Sequence, residues 1–252
     1  MTEPADDLWI RRFDHHPDSR VTLVCFPHAG GSASFFHAVS EALRSTVRVV
    51  AVQYPGRQDR WRETPLTTIG ALADGAFQSL RPLMDEPLAF LGHSMGATVA
   101  FEVAERMRTV AGIAPVALFA SGRRAPSRHR EEDTVHQRDD DGLVRELATL
   151  SGTDQQILAN PDLLEMILPA IRGDYTAAET YRWRPGPPLT CPIVALTGDN
   201  DPRVTLDEAR AWAAHTTGGF DLRTFPGGHF YLTAHQPAIT TLISQHLAAA
   251  TV

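Results

Sequence analysis

"FLGHSMGATVAFEVAERM" (residues 90–107) begins as an apolar run, passes through Gly92-His93-Ser94-Met95-Gly96, and continues with apolar residues at helical spacing. The first part reads as a buried strand and the last as an amphipathic helix. A serine between two glycines at that junction fits a nucleophile elbow. The strained turn exposes the hydroxyl, and the glycines leave room for the backbone that crosses it. The N–H of Met95, at the helix N-terminus, is then placed to stabilise an oxyanion. Tight strand–helix turns also show this pattern by chance. The functional reading therefore needs a second oxyanion donor, a base and an orienting acid elsewhere in the chain.

Outward from this stretch, apolar β-branched runs alternate with helix-period segments. The runs are "VTLVCFP" (21–27), "VRVVAVQYP" (47–55), "PLAFLGHS" (87–94), "PVALFASG" (115–122), "CPIVALTG" (191–198) and "FDLRTFPG" (220–227). Most are apolar on both faces, as parallel strands covered by helices must be. Helices are expected near 34–44, 68–84, 95–109, 205–216 and 236–249. The alternation predicts an α/β fold with a mostly parallel central sheet flanked by helices. "LWIRRF" (8–13) is expected as an added edge strand.

The rhythm breaks once, between 123 and 189. This stretch is charged, then helical at "GLVRELATL" (142–150) and "PDLLEMILPAIRGDYTAAETYRW" (161–183), and "RPGPP" (184–188) is expected to close it with a rigid turn. The expected organisation is a core of residues 1–122 and 190–252 carrying a helical lid insertion at 123–189. Some sixty residues would form only a marginal core as a separate domain. Gly122, Gly142 and Gly152 are candidate hinges, and the leucines and isoleucines of the insertion are divided between core packing and a chamber lining.

Composition narrows the class. The chain has 252 residues, 43% of them hydrophobic, which suffices for one large domain. All 23 basic residues are arginine, and the net charge of −7 argues against general nucleic-acid binding. The local cluster "RRAPSRHR" (123–130) runs against that sign and is a candidate docking surface for an acidic partner, or else a solvated loop. No apolar segment is long enough to span a membrane, and the N-terminus lacks a signal-peptide core. The expectation is a cytoplasmic protein. Cys25 and Cys191 are too sparse for a disulfide framework or a zinc site and read as buried hydrophobes.

The remaining parts of a serine site appear at other strand ends. "CFPHAGGSASFF" (25–36) leaves a strand on a glycine-rich loop, and Ala29 is the candidate second oxyanion donor, with Gly30 next. "TGDNDPRVT" (197–205) offers Asp199 and Asp201; Asp201 is the candidate acid, and Asp199 is expected to cap the turn. "PGGHFYL" (226–232) supplies His229 as the candidate base. His93, a sequence neighbour of the serine, points the wrong way for a base and reads as structural. Each part alone is weak. Three of them in the order serine, acid, histidine at three strand ends define a candidate triad.

Together, "FPHAGGSASFF", "VQYPGRQDR", "FLGHSMGATVAFEVA", "IRGDYTAAETYRW", "LTGDNDPRV" and "PGGHFYL" resemble the type II thioesterases of polyketide and nonribosomal peptide biosynthesis, stand-alone enzymes of the α/β-hydrolase fold. The resemblance runs from about residue 20 to 235. It implies Ser94 as nucleophile, Asp201 as acid, His229 as base, Ala29 and Met95 as oxyanion donors, and 123–189 as a helical lid. It implies no metal or bound cofactor, and a substrate carried on the phosphopantetheine arm of an acyl or peptidyl carrier protein. The implied role is editing, the removal of stalled or misprimed acyl groups. A terminal thioesterase fused to a synthase is disfavoured because the sequence starts at Met1 with no carrier domain before it. A carboxylesterase or lipase-like hydrolase of free small esters would show the same triad.

Overall fold

The computed structural model describes residues 8–13, 19–150 and 155–249. Their strands are β1 (Ile10–Arg12), β2 (Thr22–Phe26), β3 (Arg48–Val52), β4 (Leu88–His93), β5 (Ala117–Ser121), β6 (Ile193–Gly198) and β7 (Phe220–Phe225). They form one sheet in the order β1-β3-β2-β4-β5-β6-β7. β1 runs antiparallel to β3 with Ile10 opposite Val52, the edge strand expected from 8–13, and the other pairings are parallel. The fold is that of the α/β hydrolases.

Helices occupy the expected intervals at α1 (His37–Leu43), α2 (Ile69–Leu80), α3 (Met95–Arg106), α4 (Asp140–Leu150), α6 (Pro161–Thr180), α7 (Leu206–Arg210) and α9 (Gln236–Ala249), and two single-turn helices are added, α5 (Gln155–Leu158) and α8 (Tyr231–Ala234). The inner strands β2 to β6 are apolar on both faces because each face has its own core. Val24 and Phe26 of β2 pack in one apolar cluster with residues of α2 and α3. Leu23 and Cys25 point the other way, into a second cluster with α1 and α9. The two-residue period of the strand makes that division automatic. Both cysteines are buried and unbridged.

The strand order places the site. From β2 the chain crosses to β3 on one side, and later reaches β4 on the other side of β2. The loops leaving β2 and β4 thus diverge at a topological switch point, where open α/β sheets bind ligands.

Between β5 and β6 there is no strand among the described residues. α4 and α6 pack on each other through a third, smaller apolar cluster that includes Val135, Leu143, Leu147, Leu168, Ile171 and Tyr175. α6 begins with Asn160 as N-cap, its Oδ1 accepting the N–H groups of Asp162 and Leu163, and Pro161 follows where no N–H is needed. Two local expectations are corrected. Arg184–Pro188 make no turn; the segment runs extended and exposed, as three prolines in five residues favour. Gly142 lies buried in the first turn of α4 rather than in a connecting loop, whereas Gly122 has a left-handed φ of 59°. Gly152 lies outside the described residues.

Candidate active site

Ser94 stands between β4 and α3 with φ 53° and ψ −122°, a conformation unfavourable for a residue with a side chain and costing on the order of 1–3 kcal/mol. Its N–H is given to the carbonyl of Ser121 on β5 at 2.8 Å, which helps to hold the turn. The elbow also requires Gly96: a Cβ there would lie 2.0 Å from the carbonyl oxygen of Phe26, where β2 passes under α3.

The loops after β6 and β7 meet above this turn. Asp199 and Asn200 donate their N–H groups to the carbonyls of Phe225 and Gly227 at 2.8 and 3.0 Å, so the two loops run as a pair. His229 sits 4% exposed, and its Nδ1 lies 3.0 and 2.9 Å from the two carboxylate oxygens of Asp201. Its Nε2 lies 2.9 Å from Ser94 Oγ. The carboxylate accepts from Nδ1–H, which leaves the Nε2 lone pair facing the serine hydroxyl as acceptor. Asp201 Oδ1 also accepts the N–H of Arg203 at 2.8 Å.

Asp199 makes no contact of this kind with His229. Its carboxylate accepts the N–H of Gly227 at 2.8 Å, so it ties the acid loop to the histidine loop rather than capping only its own turn. His93 is fully buried, with Nδ1 3.0 Å from Ser121 Oγ, which lies 2.6 Å from the Tyr231 hydroxyl. Burial, then the neighbouring His229 and His28, push the His93 pKa well below the ordinary histidine value. Burial likewise takes His28 down to about 3, helped by His229 and Arg57. Both rings are neutral at pH 7.

Ala29 and Met95 line a cavity of about 40 Å³ together with Ser94 and His229. Gly30 does not compete as a donor there, because its N–H is given to Asp174 Oδ2 at 2.7 Å. Asp174 also receives both terminal nitrogens of Arg57, at 2.6 and 3.0 Å. The segment after β5, α6 included, contributes both charged and apolar residues to the lining of the cavity: Arg123, Arg124, Asp133 and Glu179 with Leu150, Tyr175 and Ala178. A cavity of this size has room for a few waters, less than an acyl chain needs. On the far side of Ala29 a groove of about 540 Å³ opens between the 28–35 loop, the 56–61 loop and α6, with Trp61 and Met166 on its rim.

Three of the four arginines of 123–130 are bound within the molecule, and the fourth, Arg128, is exposed. Arg123 binds Thr98 Oγ1 and the carbonyl of Ala178. Arg124 is buried and paired with Asp133, and Arg130 pairs with Glu208 at 2.5 Å. The sequence reasoning also missed how Arg57 and Asp174 meet. Both lie in quoted motifs, but a pairing across 117 residues leaves no periodic signal. Among the described residues no group of three or more His, Cys, Asp or Glu is arranged to hold a metal ion.

Fold and site together define an α/β hydrolase with a serine at the elbow of its central sheet. The chain belongs to the thioesterase domain family, whose model matches residues 21–247, and it is a thioester hydrolase. Among its relatives, the thioesterase PikA5 of Streptomyces venezuelae is 50% identical over 241 residues, 95% of this chain and 85% of its own length. The solved structure of the type II thioesterase BorB from the borrelidin biosynthetic cluster is 53% identical, with 97% of this chain and 98% of that chain covered and a TM-score of 0.87. The RedJ thioesterase from the prodiginine pathway of Streptomyces coelicolor is 35% identical, with 97% and 94% covered and a TM-score of 0.86.

Proposed function

We propose that this chain is a stand-alone, editing thioesterase that releases acyl groups from the phosphopantetheine arm of acyl or peptidyl carrier proteins of a polyketide or nonribosomal peptide synthase. The observation that carries this reading is the continuous contact Asp201–His229–Ser94 at the mouth of a family-typical thioesterase sheet. Its likeness to thioesterases from biosynthetic clusters supports the reading.

Ser94 is the nucleophile. Its Oγ attacks the thioester carbonyl while His229 Nε2 takes its proton, and Asp201 holds the imidazole and stabilises the imidazolium. The N–H groups of Ala29 and Met95 receive the developing oxyanion. The thiol leaves with the proton from His229, aided by a thiol pKa near 8.5, roughly that of a free cysteine. Water, deprotonated by the same imidazole, then attacks the acyl-serine and frees the acid. Each step is carried by these side chains and water, and the reading calls for no cofactor. Residues 123–189 act as a lid over Ser94, which accounts for the small cavity: the lid must shift before an acyl chain can enter. No helix of the described residues is long and apolar enough to cross a membrane, and the enzyme works in the cytoplasm beside its synthase.

The test is acyl release from a panel of loaded carrier proteins against the matching free esters. A steep preference for the carrier-bound thioester is expected. Equal or faster turnover of free esters would make the chain a general esterase.

A further inference from the structure

Asp174 lies on α6, in the segment that covers the site, and is wholly buried. Three N–H groups converge on its carboxylate: two from Arg57 and one from the backbone of Gly30. Arg57 is itself fully used. It also donates to the carbonyl of Gly31 at 3.1 Å and, through Nε and a terminal nitrogen, to that of Pro55. A buried ion pair is a poor device for stability alone, since apolar residues of similar volume often serve as well or better. What an apolar pair could not do is hold the polar backbone of the loop after β2 in one orientation.

That loop is the one that carries Ala29. It turns at Gly30 with φ 75°, and the bond from Gly31 N–H to the His28 carbonyl closes it at 2.9 Å. Ile171, one turn before Asp174 on α6, sits so close that a Cβ on Gly30 would come within 2.7 Å of its Cγ1. The peptide that joins Ala29 to Gly30 is therefore fixed from outside by a residue of α6. The Ala29 N–H belongs to the peptide before it, whose His28 carbonyl is held by the Gly31 N–H, and the Gly31 carbonyl is held in turn by Arg57.

We propose that Asp174, through Arg57 and Gly30, is a positioning residue for the oxyanion hole, and that the seating of α6 and the assembly of that hole are one event. This rests on the assignment of Ser94 and Ala29 above. It also divides the covering segment. The second half of α6, from about residue 170, is pinned to the core, and Pro169, which cannot donate to the turn before it, lies at the boundary.

The test is the double variant Arg57→Met/Asp174→Leu, which removes both charges and leaves no buried ion unpaired, with Asp174→Ala, which takes the acceptor from the Gly30 N–H while Arg57 keeps its bonds to the Gly31 and Pro55 carbonyls, as the second variant should the first not fold. Turnover is counted per site titrated with a serine-reactive phosphonate, on a carrier-bound acyl thioester. The expected loss in kcat for the double variant is about 10²–10³, the cost of one oxyanion donor, with KM within about threefold. The Ki of a trifluoromethyl ketone analogue should rise in parallel, which a role in folding alone would not produce. For either folded variant, a kcat loss under tenfold, or a loss carried by KM, overturns the proposal. A wild-type enzyme inactive on every carrier-bound thioester would instead sink the thioesterase reading, before any variant is made.

Discussion

The strand ends and the segment that covers them are held together by different physics. Ser94 and Asp201 stand on loops leaving β4 and β6, which are buried on both faces between two large apolar clusters, and His229 follows the half-buried edge strand β7. The segment between β5 and β6 has one small apolar cluster and a web of ion pairs instead. Arg203 bridges Asp133 and Glu146, Arg138 reaches Glu146 at 3.1 Å, Arg172 reaches Asp140 at 2.6 Å, and His136 meets Glu179 at 2.6 Å. Arg138–Glu146 and Arg172–Asp140 each have an exposed member, and such pairs contribute up to about 1 kcal/mol each, whereas a fully buried leucine or phenylalanine contributes about 1.5–3. The difference teaches where rigidity is placed: at the reacting groups, and not over them.

The sharpest way to break this picture is at the serine. Ser94→Ala removes the nucleophile from a turn held by the backbone and by Gly96, so the fold should persist and kcat should fall by about 10⁶. Circular dichroism and thermal melting check the first point, and carrier-bound thioester turnover the second. A folded variant with a tenth of wild-type kcat would remove Ser94 from the mechanism.

The next effect separates the two acids of one loop. Asp201→Asn should lower kcat by about 10⁴, because the amide presents an N–H where the imidazole needs an acceptor. Asp199→Asn keeps an oxygen for the Gly227 N–H and should cost far less. If Asp199→Asn proves the more damaging with both proteins folded, the contact seen between His229 and Asp201 is not the one that matters.

Acid should act on the strand-end region. His93 and His28 are held well below the unfolded value of about 6.5. Below that pH the unfolded chain binds protons that the folded chain refuses, so stability falls as pH falls. The contribution is complete above about pH 6.5 and is lost progressively towards pH 3, the folded value for His28. Between pH 6.5 and 5, above the carboxylate range, stability in urea titrations should therefore fall as pH falls. A flat stability over that interval would mean that these rings are not shielded in solution.

The same contrast decides what could be read without a structure. The strands, the elbow and the three loop ends of the site each carry a local signature: β-branched runs, glycines around a serine, an acid or a histidine just past a strand. Those signatures brought Ser94, Asp201 and His229 together on paper, and in the structure they lie in hydrogen-bonded contact. The ion pairs were not legible. Arg203 and Glu146 are 57 residues apart and Arg57 and Asp174 are 117 apart, and a charge in a sequence does not say whether water or a partner receives it. Arg123, Arg124 and Arg130 show the same limit: a run of arginines in sequence does not say which of them bind inside the molecule, and of this run Arg128 alone is exposed. The RPGPP segment failed for a related reason, since proline fixes φ but leaves open whether the chain turns or runs on.

The smallest effect is also the most direct comparison of the two regions. Amide hydrogen exchange should be slowest in β2, β4 and β5, whose residues are buried on both faces, and faster by about tenfold or more in 123–150 and 155–168. Residues 170–180 should side with the core, because Asp174 is anchored to Arg57 and Gly30. Raising the salt from 0.1 to 1 M shortens the Debye length from about 10 to about 3 Å, so exchange in the partly exposed ion-pair segment should quicken while that of the strands stays put. The second half of α6, with its pair wholly inside, should also be indifferent to salt. Uniform protection across 123–180, equal to that of the central strands and unchanged by salt or by an acyl-carrier ligand, would mean a fixed cap. The substrate would then have to reach Ser94 from the groove beside Ala29, with no movement of the covering helices.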